Sequence, residues 1–216
     1  IDMLIRMCNP ISFSSFISPT LQAIGIHENE IESLDRAIGD GDHFINLKRG
    51  VTAIQSITHE LDSLPNSQQA KSIGMKLLSS VGGASGPLFA SFFLEFSKHY
   101  NDENSTLENF CQAFTEGVDA IKRRGKSDVG EKTMLDVLVP VAELIKLASL
   151  NKLDIIELSQ QVITKSIECA ESTKSMLPTK GRSTGLGDRA IGHMDPGAKS
   201  CQVIICEICN QIISKG

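Results

Sequence analysis

Apolar residues in this chain recur at intervals of three and four along nearly its whole length, with no sustained two-residue alternation. Residues three and four apart share a helix face, so the pattern restricts the chain to packed amphipathic helices. Phe110, Phe114, Val118 and Ile121 line one such face. Leu153, Ile156, Ile163 and Ile167 line another, with Gln160 as a polar exception. Helices are expected near 10–34 (interrupted), 43–60, 68–80, 86–100, 106–124, 132–149, 154–176 and 196–214. The fold class is therefore all-α, one bundle treated as a single domain over 1–216. Aromatic residues make up only 5% and Trp is absent, so an aliphatic core is expected.

Bulk chemistry narrows the partners. A net charge of −5, with no dense basic block, argues against nucleic acid and against an anionic membrane surface. No run approaches the roughly 18 apolar residues that a membrane span needs. The opening "IDMLIRMCNPISF" lacks a clear signal-peptide pattern, and a cytoplasmic protein is expected. The six cysteines lack the spacing of a disulfide framework. Cys206 and Cys209 form a C-x-x-C, but no second pair completes a zinc site, and packed thiols are the expectation.

The connections fall into two kinds. Those near 61–67, 100–105 and 149–153 are ordinary turn-forming sequence. Four others, "DRAIGDGDH", "SSVGGASGP", "RRGKSDVGEKT" and "PTKGRSTGLGDRAIGHMDP", concentrate glycines, charges and helix-capping residues. These four precede the second, fourth, sixth and eighth helical stretches, and the plain ones precede the third, fifth and seventh. Short connections favour helices that run alternately up and down. The four special loops then share one end, together with the N-termini of four helices. Free backbone N–H groups and the positive ends of helix dipoles make such an end an anion site, most often for phosphate.

The first loop sets Asp35, Asp40 and Asp42 within eight residues. Carboxylates so close repel one another and would repel phosphate, unless a cation lies between. Magnesium takes oxygen ligands, prefers few carboxylates and fills its shell with water and phosphate oxygens. In "VGGASGP", Gly82 and Gly83 suit a backbone nest for phosphate, while Ser85 and Pro87 suit a helix start. The stretch from about Pro178 to Pro196 is long for a connection, which suggests a lid. Within it, Arg182 is the candidate to neutralise charge on a transferring phosphoryl group. "GLGDRA" mimics a dinucleotide fingerprint but follows no strand, no Walker sequence occurs, and the aspartate spacing does not fit an EF-hand.

"LDRAIGDGDHFINLKRG", "LLSSVGGASGPLF", "RGKSDVGEKTMLDVLVPV" and "KGRSTGLGDRAIGHMDPGAKS" together resemble the nucleotide-binding L subunit of bacterial dihydroxyacetone kinase. The same module forms the C-terminal domain of single-chain, ATP-dependent dihydroxyacetone kinases. The likeness spans roughly 28–215; residues 1–27 supply an N-terminal segment and the first helix. It implies an eight-helix, up-and-down antiparallel α-barrel with ADP or ATP at one end, bound through two Mg²⁺ ions. Asp35, Asp40 and Asp42 match the metal ligands. His43, Asn46, Gly83, Ala84, Ser85, Gly125, Thr133, Met134, Arg182, Asp195, Pro196 and Gly197 match nucleotide contacts, and Arg182 the catalytic cation. Phe44 stands where a small residue is usual, and Thr184–Gly185 replaces a small-residue-plus-tyrosine pair.

The resemblance further implies half an active site. The sugar would be held by a separate K subunit, and bound ADP would be rephosphorylated by a phosphocarrier M subunit that draws on phosphoenolpyruvate. Three alternatives stay open at this point: an ATP-dependent kinase subunit, a kinase for another small ketose, and a non-catalytic nucleotide-binding module that docks a transcription regulator.

Overall fold

A computed structural model describes residues 12–83 and 85–215 of the chain. Within them the helices are α1 Ser14–Ile26, α2 Glu28–Ile38, α3 His43–Gln55, α4 Thr58–Leu61 and α5 Asn66–Ser80. They continue as α6 Ser85–His99, α7 Leu107–Gly125, α8 Leu135–Asn151, α9 Ile155–Ser172 and α10 Pro196–Lys215. Among the described residues there is no strand. If α1 and α2 count as one broken rod and α4 as the tail of α3, eight rods match the eight expected stretches.

Each rod packs on the next, and α10 returns to pack on α1 and α2, which closes the ring. Closure gives every amphipathic rod two neighbours for its apolar stripe. The apolar contacts divide along the ring. Val118, Ile121, Leu135, Val137, Val141, Ile145 and Val162 join α7, α8 and α9. Ile24, Ile31, Phe44, Leu47, Val51 and Val203 join α1, α2, α3 and α10. Burying each such side chain contributes about 1.5–3 kcal/mol. A partly open apolar pocket of about 130 Å³, lined by residues such as Ile17, Val51, Leu77 and Ile204, lies between the rods, and the closed ring makes the architecture a barrel.

Two expectations change. The core is not purely aliphatic: Phe92, Phe96, Phe110 and Phe114 pack with Phe13 and Tyr100, half of the pairs edge to face, with centroids 5.2–6.2 Å apart. Their four-residue spacing puts two facing stripes of rings on α6 and α7, so the few aromatics gather at one seam. The last connection also carries structure of its own. A 3₁₀ turn, Thr173–Ser175, ends α9, and a second 3₁₀ segment, Arg182–Ala190, runs through the lid with a kink at Gly187.

The cysteine expectation holds among the described residues, where all five cysteines are free thiols. Of these, Cys111, Cys201 and Cys209 are buried. No helix of the described chain is long and apolar enough to cross a membrane.

Candidate metal and nucleotide site

The four special loops meet at one end. Arg182 of the lid reaches the first loop, its Nε donating to Asp40 Oδ2 at 2.8 Å. His43 Nε2 sits 2.8 Å from Ser200 Oγ on α10. In the glycine loop, a Cβ placed on Gly83 would lie 3.1 Å from Asn46 Nδ2, and the residue holds φ +71°. Close approach and left-handed backbone both require glycine there. The third loop touches the lid through Thr179 N and Glu131 O at 3.4 Å. It reaches α10 through Met134 Cβ, 3.6 Å from a Cβ placed on Gly197. Leu88 of α6 approaches Gly125, the last residue of α7.

The aspartates form the chemical centre of this end. One oxygen from each of Asp35, Asp40 and Asp42 lies within 4.8 Å of the other two. Asp35 is buried in the last turn of α2, while Asp40 and Asp42 are exposed. Three local devices hold the group. His43 N, at the start of α3, donates to Asp35 Oδ2 at 2.8 Å. Gly39 N closes α2 on Asp35 O at 2.6 Å. A side chain at position 39 would overlap the Asp35 carboxylate, so only glycine leaves it room.

Carboxylate oxygens within 4.8 Å of one another are costly unless a cation neutralises them. The Arg182–Asp40 pair answers only part of that charge, and both partners are exposed, so it is worth about 0–1 kcal/mol. The donor set contains hard oxygens alone, with no thiol or imidazole among the three, and matches Mg²⁺ better than a transition metal. A second carboxylate–imidazole cluster, Glu95, His99 and Glu116, lies on α6 and α7. There Glu95 is already paired with Lys98 at 2.8 Å and with His99 at 3.3 Å.

Around the aspartates, the remaining candidates take distinct places. Burial pushes His43 below its ordinary value against the pull of Asp35 and Asp42, so its imidazole is neutral at pH 7. Asn46 is buried one turn into α3, and Ser85 opens α6 half-buried. Thr133 N donates to Asp136 Oδ2 at 2.7 Å, and Thr133 Oγ1 accepts from Leu135 N at 3.2 Å. Met134 is buried at the N-cap of α8. Asp195 caps α10, accepting from Ala198 N at 2.7 Å, and Pro196 and Gly197 are buried in its first turn. Desolvation raises the Asp195 carboxyl to about 7, against the opposing hydrogen bond from Ala198 and the charge of Lys132. Gly125, Thr133 and Met134 make their contacts with α6, α8 and α10 rather than with the aspartates. Ala84 lies outside the described residues.

The two departures from the family pattern have different outcomes. Phe44 is 3% exposed and packs with Ile24, Ile31 and Val203 in the barrel wall, so its bulk adds to the core. Thr184 folds its hydroxyl back onto Gly181 O inside the lid.

Three residues at this end escaped sequence reasoning: Asp136, Ser200 and Lys132. Asp136 carried a usable signal, since Thr133-x-x-Asp136 has the capping-box pattern: Asp136 Oδ2 accepts from Thr133 N as the box requires, while Thr133 Oγ1 accepts from Leu135 N instead of Asp136 N. Ser200 and Lys132 carried none.

Comparison with known proteins decides the family. A profile of the DAK2 domain matches residues 37–210. This chain belongs to the DAK2 domain family. Among curated relatives of this DAK2 domain is the ADP-binding subunit DhaL of the PEP-dependent dihydroxyacetone kinase of Escherichia coli. It is 41% identical over 171 residues, which cover 79% of this chain and 81% of that one. The ADP-binding subunit DhaL of PEP-dependent dihydroxyacetone kinase 1 of Listeria innocua is 39% identical over 181 residues, covering 83% and 86%. Crystal structures of C. freundii dihydroxyacetone kinase share the fold: the native form with a TM-score of 0.70, the complex with AMP-PNP and Mg²⁺ with 0.67. Both are 22% identical to this DAK2 domain and cover 92% of it, against 34% and 33% of their own length.

Proposed function

We propose that this DAK2 domain is the ADP-binding subunit of a phosphoenolpyruvate-dependent dihydroxyacetone kinase. The observation that carries the reading is the trio Asp35, Asp40 and Asp42, gathered within 4.8 Å under the lid that bears Arg182. The relatives' names supply the substrate and the phosphate source, and the match over four-fifths of each subunit supports the transfer of those names.

Asp35, Asp40 and Asp42 would hold two Mg²⁺ ions, which when bound neutralise phosphate charge and align the oxygens for in-line transfer. Asp35 is fixed by His43 N and Gly39 N, so it offers its free oxygen in a set direction. Asp40 is held in place by Arg182 at 2.8 Å until phosphate competes for the guanidinium. Gly83 lets the backbone of the second loop come close to the phosphates, and Ser85 offers a hydroxyl there. Arg182 screens charge on the phosphoryl group as it moves. His43, neutral and paired with Ser200, adds no charge to the acidic cluster. Gly125, Thr133, Met134, Asp195, Pro196 and Gly197 form the adenosine side of the site.

The sugar belongs to a separate K subunit, and a phosphocarrier M subunit renews the nucleotide in place. This chain then turns over without exchanging ADP, and a cytoplasmic location goes with that chemistry. Reconstitution tests the reading. Purified chain, K subunit, the phosphocarrier chain of proteins and phosphoenolpyruvate should yield dihydroxyacetone phosphate with only stoichiometric ADP. Product formed only with excess free ATP would replace the phosphate source. No product under either condition would overturn the kinase reading.

A further inference from the structure

Lys132 is a charged group that the chemistry above does not use, although it sits where the third loop meets the lid. It is 1% exposed, and its backbone holds φ +60°, a conformation that L side chains rarely adopt. A buried ammonium and a left-handed backbone are both unfavourable, and they persist only where surrounding contacts over-determine them. Here the contacts are two carbonyls. Lys132 Nζ donates to Thr173 O and, at 2.6 Å, to His193 O.

The identity of those carbonyls carries the inference. Thr173 follows the last residue of α9, where the chain leaves for the lid, and His193 lies at the lid's return, three residues before α10. Two further bonds stitch the same neck: Gly192 N to Lys174 O at 2.8 Å, and Asp195 N to Thr173 Oγ1 at 3.0 Å. A carbonyl at the C-terminal end of a helix carries partial negative charge, which suits a compact ammonium. Between the two feet the chain runs through the 3₁₀ segment that begins with Arg182. One cation therefore bolts both feet of a long loop to the third loop, and the far side of that loop bears the guanidinium facing Asp40.

We propose that Lys132 is a positioning residue for phosphoryl transfer: it fixes the neck of the lid so that Arg182 is presented over the aspartate cluster. The proposal rests on the kinase reading and adds to it a residue that touches neither nucleotide nor metal. Small misplacements of a transferring cation are costly to rate and nearly neutral to ground-state binding.

A double-mutant cycle with Lys132→Met and Arg182→Ala in the reconstituted kinase separates positioning from plain fold stability. Lys132→Met should lower the maximal transfer rate by about 10- to 100-fold while the nucleotide Kd moves by less than about threefold. In the Arg182→Ala background the same substitution should cost less than about threefold, because there is no guanidinium left to misplace. Equal losses in both backgrounds, or an unchanged rate, would overturn the proposal. Amide exchange in the nucleotide-free chain reads the neck independently of any kinase activity: Lys132→Met should speed exchange across 176–192 and spare the helices. Lys132→Gln, which keeps one donor, is the second variant. Loss of cooperative folding in both variants would overturn the proposal by making Lys132 a part of the fold itself. A wild-type chain that binds no adenine nucleotide would sink the kinase reading, while the exchange result would still decide whether Lys132 holds the lid.

Discussion

At the end of the barrel built from residues 56–65, 100–106 and 152–154, Asp154 accepts from Ile156 N at 2.9 Å and Glu157 N at 3.3 Å, and Thr106 accepts from Asn109 N at 3.2 Å. There Asn109 also holds Asn101 O and Asn104 O, and Asp102 takes Ser67 N. At the opposite end, Asp42 occupies the N-cap of α3 without making a side-chain cap, and Met134 occupies that of α8. Asp40 faces Arg182, and the three carboxylates face one another. Polar side chains at the first end are consumed by the orphan N–H groups of their own turns. At the second end Asp195 caps α10 and Asp35 takes His43 N, yet the N-cap residues of α3 and α8 make no side-chain cap. Three carboxylates concentrate negative charge there, an arrangement that is favourable only with a bound cation. One end closes the fold, and the other is kept for a ligand.

The comparison breaks most sharply at Arg182. Arg182→Ala should reduce phosphoryl transfer by about 10³-fold while nucleotide stays bound, measured as turnover in the reconstituted kinase. Retention of full turnover would remove Arg182 from the reaction. Next comes Asp40→Asn, expected to weaken Mg²⁺-nucleotide binding on the order of 100-fold. Calorimetry reads the affinity, and far-UV circular dichroism should show helicity unchanged. Unfolding with binding spared would make the cluster structural, like the far end.

A pH experiment sharpens the electrostatic side. Asp195 rises from an unfolded value of 3.8 to about 7 on folding. The folded chain therefore holds its proton more tightly, and this contribution is fully present below pH 4 and fades as pH rises through 7. Between pH 5 and 8, nucleotide-free wild type should lose about 5 °C of Tm relative to Asp195→Asn. Parallel curves would place the carboxyl in a wetter setting than its burial implies. The smallest effects belong to the far end. Asp154→Ala or Thr106→Ala should each cost about 1 kcal/mol by denaturant titration, with nucleotide affinity unmoved.

Much of this contrast was legible before any coordinates. The three-and-four spacing gave all eight rods, and alternation of plain and special loops gave their convergence, because short connections leave antiparallel neighbours little choice. Pro196 opens α10 and Pro87 lies in the first turn of α6, as helix-starting prolines do. The interruption expected within 10–34 falls at His27, but that position was not legible, since its backbone (φ −93°, ψ 10°) needs no special residue. Closure of the ring by α10 on α1 is a tertiary fact with no local trace. Lys132 reads in sequence as an exposed loop charge between Glu131 and Thr133. Only the return of a lid sixty residues downstream buries it, and no periodicity reports that.

Heat-denaturing the freshly purified chain and quantifying the nucleotide it releases tests the central claim most directly. The account predicts close to one ADP per chain, retained through dialysis with Mg²⁺ and lost when a chelator strips the metal from Asp35, Asp40 and Asp42. A chain that releases no adenine nucleotide, and that binds none when Mg²⁺ and ADP are supplied together, would contradict it.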